Sequence, residues 1–254
     1  MDRLTRVAQP EANTALPDVL RGRRVVVTGA ASGIGKAVVK ACRRTGAQTI
    51  AVDLSESDGI ARCDVRSEDD VSRLFAGAEP YPTDVVHCAG IASTEPIEDV
   101  SLDRWHSIIE TNLTGSFLVG REFVRSLEGP GTLTFIASAG GLRGAPYYAA
   151  YGASKFGVVG LMRCMAVELA PRRIRVNAVC PSGVRTPMVD GTLAQDSART
   201  GIPVDVLRRQ EDEVVPIGRM AEPEDVADVC VFLASDLARH VAGAALLVDG
   251  AQNA

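Results

Sequence analysis

Short apolar runs alternate with longer segments of helical periodicity along most of the chain. Runs rich in valine, isoleucine and alanine predict strands at 23–29, 48–53, 84–90, 131–138, 174–180 and 243–250. Apolar positions three and four residues apart predict helices between them, at 33–47, 67–77, 101–127, 151–169 and 222–235. The chain is therefore predicted to alternate strands with helices.

The predicted strands are apolar at nearly every position rather than at every second one. Strands of this kind are buried on both faces, which is typical of parallel sheets covered by helices on each side. We therefore predict an α/β fold with a single doubly wound, Rossmann-like parallel β-sheet of about seven strands and helices on both faces. The segment 54–62 is too short for a full crossover helix, so the third strand should be short or irregular. We expect one domain at 21–254, preceded by a flexible leader at 1–20.

Composition and charge limit the class of partner. The 254-residue chain is 46% hydrophobic and 23% charged, which is ordinary for a globular protein. A formal net charge of −5 argues against nucleic acid or an anionic membrane as a partner and favours a small-molecule substrate. The N-terminal segment has no apolar core of the length that a signal peptide or membrane span needs, so a cytoplasmic protein is expected. The six cysteines occur singly and the three histidines are scattered, so neither a metal site nor a disulfide framework is predicted.

The segment TGAASGIG at 28–35 follows the first strand and begins the first helix. Gly29, Gly33 and Gly35 would let the backbone turn tightly and approach a pyrophosphate, whose charge is met by free amides at the helix N-terminus. Asp53 ends the second strand, where its carboxylate can accept hydrogen bonds from the adenosine ribose and repel a 2′-phosphate. The glycine loop itself contains no lysine or arginine, so NAD is predicted in preference to NADP.

Further motifs follow the glycine loop in a fixed order. They are Asp64-Val65 after the third strand, HCAG at 87–90, Asn112, Ser138, YGASK at 151–155, RVNAV at 175–179 and PSGVRT at 181–186. With this ordered set, the chain resembles the short-chain dehydrogenase/reductase family in its compact, NAD-preferring form, along nearly its whole length. The resemblance implies an NAD(H)-dependent oxidoreductase that interconverts a secondary alcohol and a ketone.

The family pattern, carried over position by position, implies which residues bind NAD. The loop around Ser32 and Ile34 would hold the pyrophosphate, and Asp64 and Val65 would contact the adenine. The complete implied set is Gly29, Ser32, Gly33, Ile34, Gly35, Asp53, Leu54, Asp64, Val65, Cys88, Ala89, Gly90, Tyr151, Lys155, Pro181, Val184 and Thr186. The resemblance also implies a mobile flap over the substrate at about 188–217, whose glycines and proline suit a lid.

Four residues are predicted to be catalytic. Tyr151 precedes Lys155 by four residues, on the same face of a predicted helix. A tyrosine pKa of about 10 suits proton transfer near neutral pH only if it is lowered, which a nearby ammonium and an oxidised nicotinamide ring would do. The resemblance gives Tyr151 the acid/base role and Ser138 the contact with the substrate oxygen. It gives Asn112 the positioning of a water that links Lys155 to solvent.

Three of the four tyrosines lie at 147–151, but only Tyr151 has a lysine four residues later. Tyr147 and Tyr148 are expected either to line the substrate pocket or to pack against other side chains. The sequence does not decide between these two roles.

Three positions depart from the family pattern. His87 stands where asparagine is usual, at a position that braces the sheet. Ser182-Gly183 replaces the usual glycine directly after the proline, and the DGA at 249–251 lacks the usual second glycine. None of these changes removes a predicted catalytic group.

The same residues argue against two other functions. An NAD-dependent epimerase or dehydratase normally has a longer chain, and a non-catalytic NAD-binding regulator normally lacks the tyrosine or lysine.

The helices at 101–127 and 151–169 carry more apolar residues than one sheet-facing side requires. Family members pair these helices between subunits, so a homotetramer is predicted, with a dimer as the alternative.

Overall fold

The structure, a computed structural model, describes residues 18–78 and 80–254. Residues 1–17 of the expected leader lie outside the described residues. Leu20, by contrast, is completely buried, and its amide donates to the Thr45 carbonyl at 2.9 Å. The folded domain therefore includes Leu20 and begins before the expected boundary at residue 21.

Seven parallel strands form one sheet, as the apolar pattern predicted. The strands are β1 (Arg24–Thr28), β2 (Gln48–Asp53), β3 (Ala61–Arg62), β4 (Asp84–His87), β5 (Gly131–Ile136), β6 (Ile174–Pro181) and β7 (Ala245–Val248). Their order across the sheet is β3-β2-β1-β4-β5-β6-β7. The chain builds outward from β1 to β3 and then returns to place β4 on the other side of β1. Such a reversal opens a crevice at the carboxyl ends of β1 and β4.

Helices cover both faces of the sheet. They are α1 (Gly33–Arg44), α2 (Glu68–Ala76), α3 (Leu102–Ile109), α4 (Gly115–Ser126), α5 (Ala149–Leu169), α6 (Pro187–Thr200), α7 (Val204–Glu213) and α8 (Pro223–Ala234). Val26 of β1 packs in the core with α2, α4 and α5. Its neighbours Val25 and Val27 pack in the opposite core with α1 and α8. Because adjacent residues serve opposite cores, the strand is apolar throughout.

The structure refines several predicted elements. The helix predicted at 101–127 consists of α3 and α4 separated by a π-helical turn at Glu110–Thr114. The expected short third strand is confirmed, because β3 has only two residues. The segment expected to form the flap contains α6 and α7.

Two classes of feature are not found in the part of the chain that the structure describes. None of its helices combines the length and the hydropathy needed to cross a bilayer. No group of three or more histidine, cysteine, aspartate or glutamate side chains is arranged to hold a metal ion within residues 18–78 and 80–254.

Candidate active site

The loop between β1 and α1 packs so closely that three of its positions require glycine. Gly29 has φ +66°, and a Cβ there would lie 2.7 Å from the Ala89 amide nitrogen. A Cβ at Gly35 would lie 2.0 Å from the Gly29 carbonyl oxygen. Gly33 has φ +49°, and its Cβ would lie 3.0 Å from the Thr186 methyl carbon. The backbone at the start of α1 can therefore approach a ligand closely, which fits a pyrophosphate.

A cleft of about 440 Å³ adjoins this loop at the carboxyl ends of the strands. It brings together most of the residues expected to bind the cofactor: Gly29, Ser32, Gly33, Ile34, Gly35, Asp53, Leu54, Asp64, Val65, Cys88, Ala89, Gly90 and Thr186. Pro181 and Val184, also expected there, are buried and do not line the cleft. Tyr151 and Lys155 lie outside its lining as well.

The sequence did not identify several residues that line the same cleft: Ser55, Cys63, Arg66, Ile91, Ser107, Thr111, Pro187 and Met188. Ser55 and Ile91 directly follow predicted residues, so extending each motif by one position would have found them. Ser107 and Thr111 belong to the helical segment that carries Asn112. Only the packing of that segment against α5 and the loop after β4 brings them to the cleft, and no local pattern signals it.

Two carboxylates of the cleft are held in place. Asp53 accepts the Ala31 amide at 3.0 Å and the Ser55 amide at 3.3 Å. The Arg66 guanidinium bonds to Asp64 at 2.7 Å, and this contact holds the pKa of the Asp64 carboxyl below its usual range. The Arg66 charge is thereby offset within the protein, and Asp53 keeps an ordered carboxylate on the wall of the cleft.

A second cavity, of about 270 Å³, contains two of the predicted catalytic residues, Ser138 and Tyr151. Met188 lines both this cavity and the larger cleft. A Cβ at Gly140 would lie 3.4 Å from Ser138 Oγ and 3.8 Å from Tyr151 Cε1, so both side chains surround the same glycine. Ser138 Oγ accepts the Gly140 amide at 3.0 Å, which leaves its own proton free to be donated.

Lys155 lines neither cavity, and its ammonium lies near the Tyr151 ring. Its Nζ donates to the Ile136 carbonyl at 2.8 Å and lies 5.7 Å from the centroid of that ring. Burial lowers the pKa of Lys155 to about 8. Burial also raises the pKa of Tyr151, although the Ser138 side chain opposes the rise. The lowering expected from Lys155 together with the oxidised nicotinamide ring stays a prediction, and the loss of hydration around the phenol acts against it.

Asn112 lies in the π-helical turn between α3 and α4 and is buried. Its amide nitrogen donates to the Ile91 carbonyl at 2.9 Å and to Ser154 Oγ at 3.0 Å. Its carbonyl oxygen accepts the Ile91 amide at 2.8 Å. A Cβ at Gly90 would lie 3.2 Å from Asn112 Oδ1 and 3.5 Å from Lys155 Nζ. Asn112 thus fastens the loop after β4 to α5, beside the lysine.

Known proteins share this arrangement along nearly the whole chain. The family described as enoyl-(acyl carrier protein) reductase matches residues 29–252. A cis-4-hydroxycyclohexanecarboxylate dehydrogenase from Sinomonas cyclohexanicum is 39% identical, over 91% of this chain and 97% of its own. The chain belongs to the short-chain dehydrogenase/reductase family.

Two further members of the short-chain dehydrogenase/reductase (SDR) family extend the comparison. A 2,5-dichloro-2,5-cyclohexadiene-1,4-diol dehydrogenase from Sphingobium indicum is 33% identical, over 91% of this chain and 97% of its own. The crystal structure of an actinorhodin polyketide ketoreductase variant with NADPH superposes with a TM-score of 0.86 at 31% identity, covering 91% of this chain and 97% of that one. The fold and the nicotinamide cofactor are thus those of the SDR family, and the glycine loop fits such a dinucleotide.

His87, which replaces the usual SDR asparagine, is buried at the end of β4. Thr28 Oγ1 accepts the amides of Cys88 and Ala89, both at 3.2 Å. Its own proton is therefore directed to His87 Nδ1, at 2.8 Å. The imidazole then carries its proton on Nε2, which has no hydrogen-bond partner among the described residues. Burial lowers the pKa of His87 to about 3, so the ring is neutral and ties β4 to β1.

The other two departures from the SDR pattern also have structural consequences. Ser182, which stands in place of a glycine, lines the smaller cavity, and its buried Oγ has no partner among the residues described. Ala251, which stands in place of the second glycine, adopts φ +71°, a left-handed conformation that favours glycine. The Asp249 carboxylate accepts the Ala251 amide at 3.1 Å and holds this turn.

The two tyrosines before Tyr151 have different environments. Tyr148 lines the smaller cavity, and burial raises its pKa to about 12. Tyr147 is exposed with φ +67°, and the Arg199 guanidinium stacks 3.8 Å from its ring centroid. Tyr148 is therefore a residue of the cavity wall, whereas Tyr147 contacts helix α6.

Proposed function

We propose that this SDR protein is an NAD(H)-dependent dehydrogenase that interconverts a secondary alcohol and a ketone, with Tyr151 as the acid/base. The observation that carries this function is the junction of the two cavities. Ser138 and Tyr151 line one cavity, the glycine loop lines the other, and Met188 borders both. A carbinol in the smaller cavity would therefore lie beside the dinucleotide cleft. The dehydrogenases of cyclic alcohols among the relatives support a small secondary alcohol as the substrate.

The side chains of the cleft favour NAD over NADP. When bound, the nicotinamide ring accepts hydride from the carbinol carbon or returns it to the ketone. The backbone from Gly29 to Gly35 would hold the pyrophosphate, and Asp53 would accept hydrogen bonds from the adenosine ribose. A 2′-phosphate beside the ordered Asp53 carboxylate would be repelled, and Arg66 is already engaged by Asp64.

Ser138 and Tyr151 would handle the proton of the reaction. The Ser138 hydroxyl, whose oxygen already accepts the Gly140 amide, donates to the substrate oxygen and holds it. Tyr151 then removes the alcohol proton during oxidation or supplies a proton during reduction. Because burial raises the Tyr151 pKa, the neutral phenol is favoured, which suits it to proton donation. Alcohol oxidation should accordingly become faster as the pH rises.

Lys155 and Asn112 would assist proton transfer by Tyr151. The Lys155 ammonium, held by the Ile136 carbonyl, places a positive charge near the phenol and can contact the nicotinamide ribose. The proposed role of Asn112 is to position a water that passes protons between Lys155 and solvent. Its side chain also orders the Ile91 backbone next to the lysine.

Helices α6 and α7 are proposed to act as a lid over the substrate. The Thr94 amide donates to Gln195 Oε1 at 2.8 Å and links α6 to the loop after β4. Arg185 pairs with Asp212 at 2.7 Å and links α7 to the segment after β6. A few such contacts would have to break for the lid to open.

The protein is further proposed to be a cytoplasmic homotetramer, with a dimer as the alternative. All six cysteines are unpaired, as expected in a reducing compartment. Phe117 on α4 is 43% exposed, and Phe156 and Val167 on α5 are 47% and 79% exposed. Pairing of α4 and α5 between subunits would bury these side chains. Light scattering of the wild type and of a Phe117→Ser/Phe156→Ser variant tests this assembly, which a wild-type monomer at micromolar concentration would refute.

The proposed reaction is tested by following reduction of NAD and of NADP with a panel of secondary alcohols, and oxidation of the reduced cofactors with the matching ketones. The expected result is turnover in both directions with NAD as the better cofactor. A protein that binds NAD but turns over no alcohol or ketone would instead be a dinucleotide-binding regulator.

A further inference from the structure

Glu211 differs from the aspartates around it in the flap segment 188–217. All four of those aspartates form ion pairs with arginines: Asp190 with Arg208, Asp196 with Arg199, Asp205 with Arg209, and Asp212 with Arg185. Glu211 is partly buried on α7 and lines the cavity that contains Ser138 and Tyr151. It has no ion-pair or hydrogen-bond partner within the described part of the chain.

The Glu211 carboxyl is partly buried and has no donor from the described residues. Its Oε2 lies 3.6 Å from the position that a Cβ would take at Gly183, so the carboxyl lies against a backbone that presents no side chain. Burial raises the pKa of Glu211, and the nearby charges of Asp196 and Asp212 act in the same direction. A carboxyl group partly removed from water without a donor is costly, and a hydrogen-bond donor on a ligand would offset that cost.

Ser182 supplies a buried, unsatisfied group in the same cavity. Its Oγ is buried without a partner in the described residues, and it directly precedes Gly183, against which Glu211 lies. A hydroxyl can both donate and accept, whereas a carboxylate accepts only. A substrate with one oxygen would use Ser138 and Tyr151 and leave Ser182 and Glu211 unpaired.

We propose that Glu211 and Ser182 bind a second hydroxyl group of the substrate, so that the protein prefers diols to mono-alcohols and to hydroxy acids. The inference rests on the proposed alcohol dehydrogenase function. The second hydroxyl donates to Glu211 and exchanges a hydrogen bond with Ser182. A substrate carboxylate would be repelled by Glu211, and this selectivity differs from that of the relative named for 4-hydroxycyclohexanecarboxylate.

The positive charge of Arg143, in the same cavity, would favour a hydroxy acid over a diol. It lines the cavity and is exposed to solvent. An exposed arginine attracts a carboxylate only weakly, because water and salt screen the charge. The partly buried Glu211 is less screened and should therefore decide which substrates are accepted.

The test compares kcat/KM for three compounds that share one skeleton: cyclohexane-1,4-diol, cyclohexanol and 4-hydroxycyclohexanecarboxylate. The same comparison is made with 2,3-butanediol, 2-butanol and 3-hydroxybutyrate, and 4-aminocyclohexanol is included as a cationic analogue. The wild type should prefer the diol to the mono-alcohol by about tenfold or more on the skeleton that it oxidises best. The hydroxy acid should be the poorest substrate of each set.

Two variants assign the preference to residues. Glu211→Gln should lower the ratio of diol to mono-alcohol kcat/KM by about tenfold and improve the hydroxy acid, because the repelling charge is gone. Ser182→Gly, which restores the usual SDR residue, should also lower this ratio, because the second hydroxyl loses its hydrogen bond to the Ser182 side chain. Glu213→Gln is the matched control, since Glu213 is exposed on the same helix and should leave the ratio unchanged.

The outcomes separate this inference from the proposed function. If no alcohol is oxidised with either cofactor, the proposed function fails, and the inference fails with it. If alcohols are oxidised but a mono-alcohol, hydroxy acid or amino alcohol is the best substrate, only the inference is overturned. The inference is also overturned if neither Glu211→Gln nor Ser182→Gly lowers the diol preference. Circular dichroism shows whether each variant is folded.

Discussion

The Lys155 ammonium lies 5.7 Å from the centroid of the Tyr151 ring while donating to the Ile136 carbonyl at 2.8 Å. The spacing of the two residues on α5 brings them to one face, and the end of β5 supplies the carbonyl. Burial disfavours the charged form of each group, lowering the pKa of Lys155 to about 8 and raising that of Tyr151. The proton is therefore less firmly held by the lysine, and more firmly by the phenol, than in water.

Replacing Tyr151 with phenylalanine should remove the acid/base without disturbing the cofactor cleft, whose lining does not include Tyr151. We expect kcat to fall by about 10²- to 10⁴-fold, since general acid–base catalysis contributes that much. Steady-state rates measure the loss, and fluorescence titration with NADH should show unchanged cofactor affinity. Tyr148→Phe, at the neighbouring wall of the same cavity, is the control and should cost less than about tenfold. Turnover that persists in Tyr151→Phe would reject the assigned role.

Exchange of Asp53 for serine should shift the cofactor preference toward NADP. The change removes a carboxylate that would repel a 2′-phosphate, and a repulsion of about 1.4 kcal/mol or more corresponds to about tenfold or more in the ratio of kcat/KM values for NADP and NAD. The ratio is measured with the best alcohol found. Asp58→Ser, an exposed change in the same β2–β3 connection, should leave the ratio as it is. An unaltered ratio in Asp53→Ser would show that another group selects the cofactor.

Stability in acid should depend on His87. Its pKa is lowered from 6.5 to about 3 in the folded protein. Between those values the unfolded chain binds a proton that the folded chain does not. The free energy of unfolding should thus decrease as the pH falls below 6.5, by up to about 1.4 kcal/mol per pH unit from this group.

Urea unfolding of wild type and His87→Asn across this pH range measures how steeply the free energy of unfolding changes with pH. The variant should lose the His87 contribution to the pH dependence, whatever its stability at neutral pH. His240→Asn, at an exposed histidine, should retain the wild-type slope. Equal slopes in wild type and His87→Asn would contradict a neutral, buried imidazole.

Glycine at position 251 should stabilise the fold. Ala251 has φ +71° and is exposed, so its Cβ contributes strain and little packing. We expect Ala251→Gly to raise the free energy of unfolding by about 0.5 to 1 kcal/mol, because glycine adopts this conformation without a steric penalty. Chemical denaturation measures the change, with the terminal Ala254→Gly as a control expected to have no effect. A loss of stability in Ala251→Gly would mean that the flexibility gained by the unfolded chain outweighs the strain.

The sequence by itself determined the parallel sheet, the glycine loop and the pairing of Tyr151 with Lys155. Each of these depends on spacing within one strand, turn or helix, and such spacing is visible in the order of residues. Local order is enough to recognise apolar strands, glycines at fixed intervals and a lysine one helical turn after a tyrosine. None of these patterns depends on which distant segments contact one another.

The tertiary structure alone decided which groups are deprived of water or of a partner. It placed Glu211 of α7 against Gly183 and in the same cavity as the buried Ser182 hydroxyl, although α6 lies between them along the chain. It also decided the neutral state of His87 and the direction of the Tyr151 pKa. These properties depend on burial and on contacts between separate segments, because the cost of removing a polar group from water is set by everything packed around it.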